Sequence, residues 1–462
     1  MAVHGVKKSH EAAAESHVYA AAAPSQRVPK YRIPDGEWDP RLAHALILDE
    51  LMVEGNSRLN LATFTQTWLE PEVRLLMAET CDKNLIDKDE YPQTAEIEHR
   101  CVNILADLWN VPDETDAIGT STTGSSEACM LGGMALQRRW RARRRAQGAS
   151  TDRPNIVMGV NVQVCWHKFA RYWDVEQRLV PLEKGRYAMN AAEAVKLCDE
   201  NTIGVVPVLG STFTGEYEPV AEISDALDAL QKETGLDIPI HVDAASGGFV
   251  APFIQPELVW DFRLERVKSI NVSGHKYGLA PLGVGWVVWR GTAELPEELI
   301  FRVNYLGGEM PTFGINFSRP GSQIVCQYYN FLRLGREGYR RVQQDAQDVA
   351  LHLADRIEAM GPFEMITRGT DLPLLSWSLK DGANFTLFEL SDALRRYGWQ
   401  VPAYTLPADL DDMAICRIVV RHGLGMDLSD LLLNDFQEVL DRFAKEPDRR
   451  ASVIEDGGFS HT

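Results

Sequence analysis

The sequence predicts an α/β protein, with a mostly parallel sheet covered by helices on both faces and a smaller α+β region after it. Short β-branched apolar runs alternate with helical stretches between about residues 58 and 346. Polar residues able to do chemistry stand where those runs end, which is where ligands bind in open α/β sheets. At 462 residues, 45% of them hydrophobic, the chain can build one large domain and a smaller one.

Taken in order, residues 1–57 form an N-terminal segment. It is expected to be an Ala-rich, partly disordered lead followed by a helix over 40–54. Residues 58–346 form the large domain. Its strands are read from Ile156-Val157-Met158, Val205-Val206-Pro207-Val208, Ile240-His241-Val242, Ile270-Asn271-Val272 and the run 284–289. Residues 347–462 form the small domain, with a helix over 428–443. No internal repeat is visible. Gly278, Gly283 and Gly285 are not a dinucleotide fingerprint, because they lie before and inside a strand rather than between strand and helix.

A net charge of -19 argues against bulk nucleic-acid binding. The basic run Arg138, Arg139, Arg141, Arg143, Arg144 and Arg145 is read as following the helix begun at Ser126. It reads as a solvated helix end or an inter-subunit ion-pair surface; only Trp140 interleaves it, and a nucleic-acid groove wants more aromatics. No apolar run reaches the ~18 residues of a membrane span. The first residues, with Lys7, Lys8, Glu11 and Glu15, do not resemble a signal peptide. The seven cysteines are scattered without a C-x-x-C pair. No metal site or disulfide framework is therefore expected, and a reducing cytoplasm fits.

The chemistry concentrates in Ser273-Gly274-His275-Lys276, at the end of an apolar run. A lysine delivered by a strand end is held in a pocket, and burial lowers its pKa and makes it a nucleophile. Asp243 ends the neighbouring run Ile240-His241-Val242. An amine for a Schiff base and a carboxylate for a ring nitrogen are what a pyridoxal phosphate enzyme needs. Either residue alone reads as a surface lysine or a helix cap; the pair on adjacent strand ends reads as a site. The stretch Gly119-Thr120-Ser121-Thr122-Thr123-Gly124-Ser125-Ser126 leads into a helix, so hydroxyls and free N–H groups converge there as an anion site or as an ordinary serine cap. His167 is a candidate for stacking on a pyridine ring. Thr212, after another apolar run, is a candidate hydroxyl partner or a turn residue.

The motifs Asn60-Leu61-Ala62-Thr63-Phe64, Gly124-Ser125-Ser126-Glu127-Ala128-Cys129-Met130, Cys165-Trp166-His167-Lys168-Phe169-Ala170, Asp243-Ala244-Ala245-Ser246-Gly247-Gly248-Phe249 and Ser273-Gly274-His275-Lys276 occur together and in order. From about Asn60 onward the chain resembles the bacterial-type glutamate decarboxylases, within the group II pyridoxal phosphate-dependent decarboxylases. The resemblance implies a fold type I transferase-like architecture with a seven-stranded sheet, and conversion of L-glutamate to 4-aminobutanoate and carbon dioxide with uptake of a proton. It implies Lys276 as the Schiff-base lysine and Asp243 as partner of the ring nitrogen. Ser125, Ser126 and His275 become phosphate ligands, His167 the stacking histidine, Thr212 a ring contact and Gln163 a neighbour of the cofactor face. Phe317-Ser318 is similar to a segment lent to the phosphate by a neighbouring subunit. Thr63, the Phe64 N–H, and Lys83, Asn84 and Asp87 from a partner chain resemble the site for the substrate side chain. Arg417 resembles the arginine near the α-carboxylate. An aspartate facing a carboxylate needs a shared proton, which implies better binding in acid.

The resemblance further implies a homodimer as minimal active unit, assembling to a hexamer. Nothing after Glu446 resembles a calmodulin-binding tail. His461 is instead a candidate for closing the site as pH rises. Two rivals stand beside this reading: a decarboxylase for another amino acid, which would keep Lys276 and Asp243 while changing the selecting residues, and a scaffold that has lost activity.

Overall fold

The structure is a computed structural model that describes residues 29–112, 118–304 and 310–445. Part of the expected Ala-rich lead, and His461 with its tail, lie outside the described residues. Chain contacts divide the molecule into two units, Met1–Asn56 and Ser57–Thr462. In the first, helix α1 (Pro40–Leu51) begins at a proline, where the missing N–H costs nothing, and the Asp39 side chain accepts from the N–H groups of Arg41 and Leu42. It is one turn shorter than the stretch expected from the sequence.

Among the described residues of the second unit, seven strands form the main sheet. They are β1 (Ile118–Thr122), β2 (Asn155–Gly159), β3 (Glu176–Val180), β4 (Thr202–Val206), β5 (Ile240–Asp243), β6 (Val267–Val272) and β7 (Gly285–Trp289). Their order is β1-β7-β6-β5-β4-β2-β3. All neighbouring pairs are parallel except those made by β7, which runs antiparallel to β1 and β6. Every residue of β2, β4, β5 and β7 is buried. Strands buried on both faces read as continuous apolar runs, which is why they are legible in the sequence. Polar residues inside this wall include His241 and Asp243 on β5 and Ser269 and Asn271 on β6, all nearly inaccessible to water, as are Asn155 on β2 and Thr202 on β4.

The covering helices are α2 (Pro71–Glu79), α3 (Pro92–Leu108), α4 (Ser125–Ala146), α5 (Val164–Tyr172), α6 (Ala191–Lys196), α7 (Val220–Thr234) and α8 (Ala251–Ile254). Helix α4 follows β1 almost at once. Gly124 makes the turn at φ 153°, a conformation open to glycine. The helix then lies close on its neighbours because two of its residues lack side chains. A Cβ on Gly132 would fall 2.4 Å from the His241 ring, and one on Gly133 would fall 2.7 Å from the Phe169 ring of α5. The helix runs on to Ala146, so the basic run 138–145 forms its last turns rather than following it. Arg138 and Arg139 pair with Glu298 and Glu294, and Arg143 and Arg144 donate to the carbonyls of Asp237 and Ser150. Two of the six arginines are thus ion-paired, and two more bond to carbonyls, within the same chain.

A small hairpin, β8 (Phe301–Val303) with β9 (Met310–Thr312), precedes α9 (Ser322–Ala359), which is interrupted at Gly335. The last part is an antiparallel sheet in the order β10-β11-β13-β12, built from β10 (Phe363–Arg368), β11 (Leu374–Leu379), β12 (Ala403–Thr405) and β13 (Ala414–Val419). Helices α10 (Leu387–Arg395) and α11 (Met426–Ala444) belong to it. The segment around Leu61 is sewn into this sheet: Leu61 donates to the Gln400 carbonyl at 3.0 Å and accepts from the Val419 N–H at 3.0 Å. Among the described residues no helix is long and apolar enough to cross a membrane.

Two stability predictions follow from these packings. Gly133→Leu overfills the α4–α5 contact and lowers the unfolding free energy by about 1–3 kcal/mol, read from the urea midpoint. Glu218 is buried, and its two oxygens accept from the N–H groups of Val208 and Met189 at 2.7 and 3.0 Å. Burial still pushes its carboxyl from an ordinary 4.5 up to about 7. The folded state then holds a proton that the unfolded state releases, so the stability owed to this group is greatest below the ordinary carboxyl value and falls as pH rises through about 7. The wild-type protein loses that contribution over this window and Glu218→Gln does not, as paired urea titrations at the two ends of the window will show.

Candidate active site

Lys276 stands in the turn that follows β6. Its backbone neighbourhood is fixed from two sides: the Gln66 N–H donates to the His275 carbonyl at 2.8 Å, and the His275 N–H donates to Val284 at 3.3 Å. The Lys276 amine donates to Ser246 Oγ at 3.3 Å and lies 5.1 Å from the centre of the Phe64 ring. Its pKa is lowered, mainly by burial; the Asp243 carboxylate opposes the shift and the Arg417 guanidinium adds to it.

Asp243 ends β5 and is 2% exposed. One carboxylate oxygen accepts from Trp166 Nε1 at 2.8 Å and lies 3.6 Å from the Cys129 sulfur. The other accepts from Asn271 Nδ2 at 3.0 Å and the Ala245 N–H at 3.1 Å. Donors therefore surround both oxygens of this carboxylate. Cys129 and Cys165 place their sulfurs within 4.8 Å of each other and of this carboxylate. Burial pushes the Cys129 thiol well up, so it stands there as a neutral donor.

At the start of α4, Ser125 is buried and Ser126 exposed. Ser125 Oγ receives Ser273 Oγ at 2.8 Å and Asn271 Nδ2 at 3.3 Å. The His275 ring closes the other side, and a Cβ on Gly124 would meet it at 3.0 Å. His275 Nδ1 accepts from the Val284 N–H at 3.3 Å. Burial first, and then the Lys276 charge, bring this imidazole down to about 4, so at neutral pH it offers an N–H rather than a charge. A helix start with hydroxyls, a glycine and a neutral imidazole around it is a cradle for a phosphate.

Helix α5 carries the other cofactor candidates. Gln163 caps it by accepting from the Cys165 N–H at 2.7 Å, and His167 Nδ1 meets Gln177 Oε1 at 2.5 Å. Thr212 is half-buried in the loop beyond β4. That loop is tied to the site by the Asp243 N–H, which donates to the Pro207 carbonyl at 3.0 Å.

The substrate candidates fall into two groups. In the first, the Arg417 guanidinium lies 4.9 Å from the Phe64 ring centre and 5.4 Å from that of Tyr404, and donates to the Ala62 carbonyl at 3.0 Å. Thr63 Oγ1 accepts from the Thr65 N–H at 3.2 Å. The Phe64 ring thus lies about 5 Å from both the Arg417 guanidinium and the Lys276 amine. In the second group, Asn84 Nδ2 donates to Asp87 at 3.0 Å and to Ser318 Oγ at 3.3 Å, and Asn84 Oδ1 accepts from the Arg319 N–H at 3.2 Å. No hydrogen bond or ring contact joins Asn84, Asp87 or Ser318 to Phe64, Lys276 or Arg417 among the described residues. A cleft of about 910 Å³ lined by Lys184, Glu364, Lys380, Asp409 and Met413 contains none of these residues.

Several residues that build the site carried no role in the sequence reading. Arg421 is 5% exposed; it donates to the Thr65 carbonyl and Thr67 Oγ1 at 2.7 and 2.8 Å, and also to the Asn60 carbonyl, so it pins the whole 60–67 segment. A second arginine four residues after Arg417 was the available signal. Trp166, Ser246 and Ser273 lie inside the quoted motifs and Asn271 in the strand run before the last of them, yet only the tertiary contacts give them partners. Pyridoxal phosphate fits this arrangement: the missing Cβ at Gly124 leaves the helix start open, the amine is buried, and a donor-rich carboxylate stands on the adjacent strand.

Residues 39–380 match the model of the pyridoxal-dependent decarboxylase conserved domain. The chain is 59% identical to the glutamate decarboxylase of Aliivibrio fischeri, over 96% of each chain. It is 51% identical to glutamate decarboxylase 5 of Arabidopsis thaliana, over 92% of this chain and 87% of that one. The solved structure of Lactobacillus brevis glutamate decarboxylase superposes with a TM-score of 0.89 at 47% identity, covering 94% of this chain and 98% of that one. Together with the amine, carboxylate and helix-start arrangement, these likenesses show that the chain belongs to the pyridoxal-dependent decarboxylase family.

Proposed function

We propose that this chain is a glutamate decarboxylase, converting L-glutamate to 4-aminobutanoate and carbon dioxide with uptake of one proton. The observation that carries the reading is the grouping of Lys276, Phe64 and Arg417: a buried amine 5.1 Å and a guanidinium 4.9 Å from the centre of one ring. It is supported by relatives of that name at 59% and 51% identity over nearly the whole chain.

Pyridoxal 5'-phosphate, when bound, supplies an aldehyde to the amine and an electron sink for the pair left behind when carbon dioxide departs. The chain's own residues do the rest. Lys276 presents an amine whose burial keeps it nucleophilic. Asp243 would face the ring nitrogen and hold its proton. Ser125, Ser126 and His275 would hold the phosphate, with Ser318 of the partner subunit. His167, Gln163 and Thr212 would bound the ring. Arg417 orients the substrate by one carboxylate, so that the bond to be broken stands across the ring. Thr63 and the Phe64 N–H, with Asn84 and Asp87 of the partner subunit, would take the side-chain carboxylate. That the Asn84–Asp87–Ser318 group is self-contained within one chain is consistent with its serving a neighbour. Lys276 or His275 returns the proton to the α-carbon.

The same reading makes a homodimer the active unit and a hexamer its assembly. It separates 58–346 from 347–462 as large and small domains. It places the protein in the cytoplasm, in glutamate metabolism or acid tolerance.

Two experiments test the proposal. Borohydride reduction of the holoenzyme, digestion and mass measurement should tag the peptide bearing Lys276, and Lys276→Ala should lose both the tag and turnover; a tag elsewhere defeats the assignment. Carbon dioxide release should be far faster from glutamate than from aspartate or aromatic amino acids. Arg417→Met should lower kcat/KM for glutamate about 10²-fold, the loss of one charge-assisted contact of ~2–3 kcal/mol.

A further inference from the structure

Two residues before Asp243, on the same face of β5, lies His241, which is wholly buried and makes no contact with the proposed substrate groups. Residues of β5 and β6 stand opposite each other in register, His241 beside Ser269 and Asp243 beside Asn271. The four side chains form a square. His241 Nδ1 meets Ser269 Oγ at 2.7 Å, and Nε2 meets Asn271 Oδ1 at 2.8 Å. Asn271 Nδ2 reaches Asp243 at 3.0 Å and Ser125 Oγ at 3.3 Å.

An amide oxygen only accepts, so His241 Nε2 carries the proton in this bond and Nδ1 is left to accept from the serine hydroxyl. Burial holds the ring neutral, bringing it down to about 4. The consequence falls on Asn271. With its oxygen taken by His241, its NH₂ must face the carboxylate; turned over, it would set oxygen against oxygen. The His241 ring also abuts the Trp166 indole edge-on at 5.2 Å, and Trp166 donates to the other oxygen of Asp243. Gly132 of α4 closes the cage, leaving no room for the imidazole to turn.

We propose that His241 is a positioning residue for the reaction: it fixes the orientation of the Asn271 amide, and through it and Trp166 sets the Asp243 carboxylate toward the ring nitrogen of the cofactor. The inference rests on the pyridoxal phosphate reading given above. It asks for a device that acts on one atom of the cofactor, and this separates it from a role in folding.

The test is cofactor affinity of the apoenzyme, followed by quenching of tryptophan fluorescence. Two probes are used: pyridoxal 5'-phosphate and its carbocyclic analogue with C–H in place of the ring nitrogen. Wild-type protein should bind pyridoxal phosphate more tightly than the analogue; binding of neither probe defeats the cofactor reading itself. His241→Leu should weaken pyridoxal phosphate about tenfold or more and change the analogue less than twofold. His241→Gln, which keeps a donor for Asn271 and an acceptor for Ser269, should restore most of the difference. Equal weakening of both probes, or none, overturns the proposal and leaves His241 a packing residue. If His241→Leu does not fold, Ser269→Ala serves. It removes the hydroxyl that holds His241 Nδ1 and so loosens the ring; a smaller loss confined to pyridoxal phosphate is expected, and an unselective loss or no loss overturns the proposal.

Discussion

The site depends on placing an amine and a carboxylate in the same dry region, where burial lowers the proton affinity of the amine. Desolvation disfavours both charged forms, so it helps Lys276 and works against Asp243. The charge of Asp243 also pulls the Lys276 value back up. The fold meets the conflict by treating the groups differently. Asp243 is given the donors of Trp166, Asn271, Ala245 and Cys129, whereas Lys276 has one long contact to Ser246 and the face of Phe64. Four donors stand in for water at the carboxylate, whereas little does at the amine, whose proton affinity burial lowers.

That asymmetry needs polar residues inside strands that are otherwise apolar on both faces. Each such residue is costly unless its bonds are satisfied. The square of His241, Ser269, Asn271 and Asp243 satisfies itself, and α4 can close over it because Gly132 carries no side chain there. The same helix starts at Ser125, so one element both seals the carboxylate and opens the phosphate cradle. Its basic end is occupied by ion pairs with the chain that follows β7, which anchors the helix at the opposite end from the cradle.

Much of this was legible because strand ends and helix starts announce themselves. The runs ending at Asp243 and before Ser273 are continuous and β-branched, and Gly124-Ser125-Ser126 separates strand from helix as expected. Helix extent was less legible. Nothing in the arginine-rich stretch breaks a helix, so α4 continues through it, while the polar content of 138–145 suggests an earlier end. Partners across the fold were least legible. Arg421 and Asn271 have no local pattern to mark them; their meaning comes from segments more than 350 and more than 140 residues away in the chain. The second group, Asn84 with Asp87 and Ser318, is joined by contacts of the same long-range kind.

Phe64 shows how the parts become one device. Its ring lies about 5 Å from both cations, and the segment that carries it is clamped by Arg421 and sewn to β13 through Leu61. Arg417 is on β13 as well, so ring and guanidinium move together. Arg417 contributes to the lowering of the Lys276 value. A carboxylate seated on that guanidinium cancels part of its field, which raises the proton affinity of the amine. Filling the anchor and charging the lysine are therefore linked: the empty site favours the nucleophile, and the filled site favours the same nitrogen as a proton donor. A hydrocarbon residue in place of Arg417 would lose both halves of that exchange at once. On the proposed role of Arg417, the guanidinium would serve the proton balance of the reaction as well as the grip on the substrate.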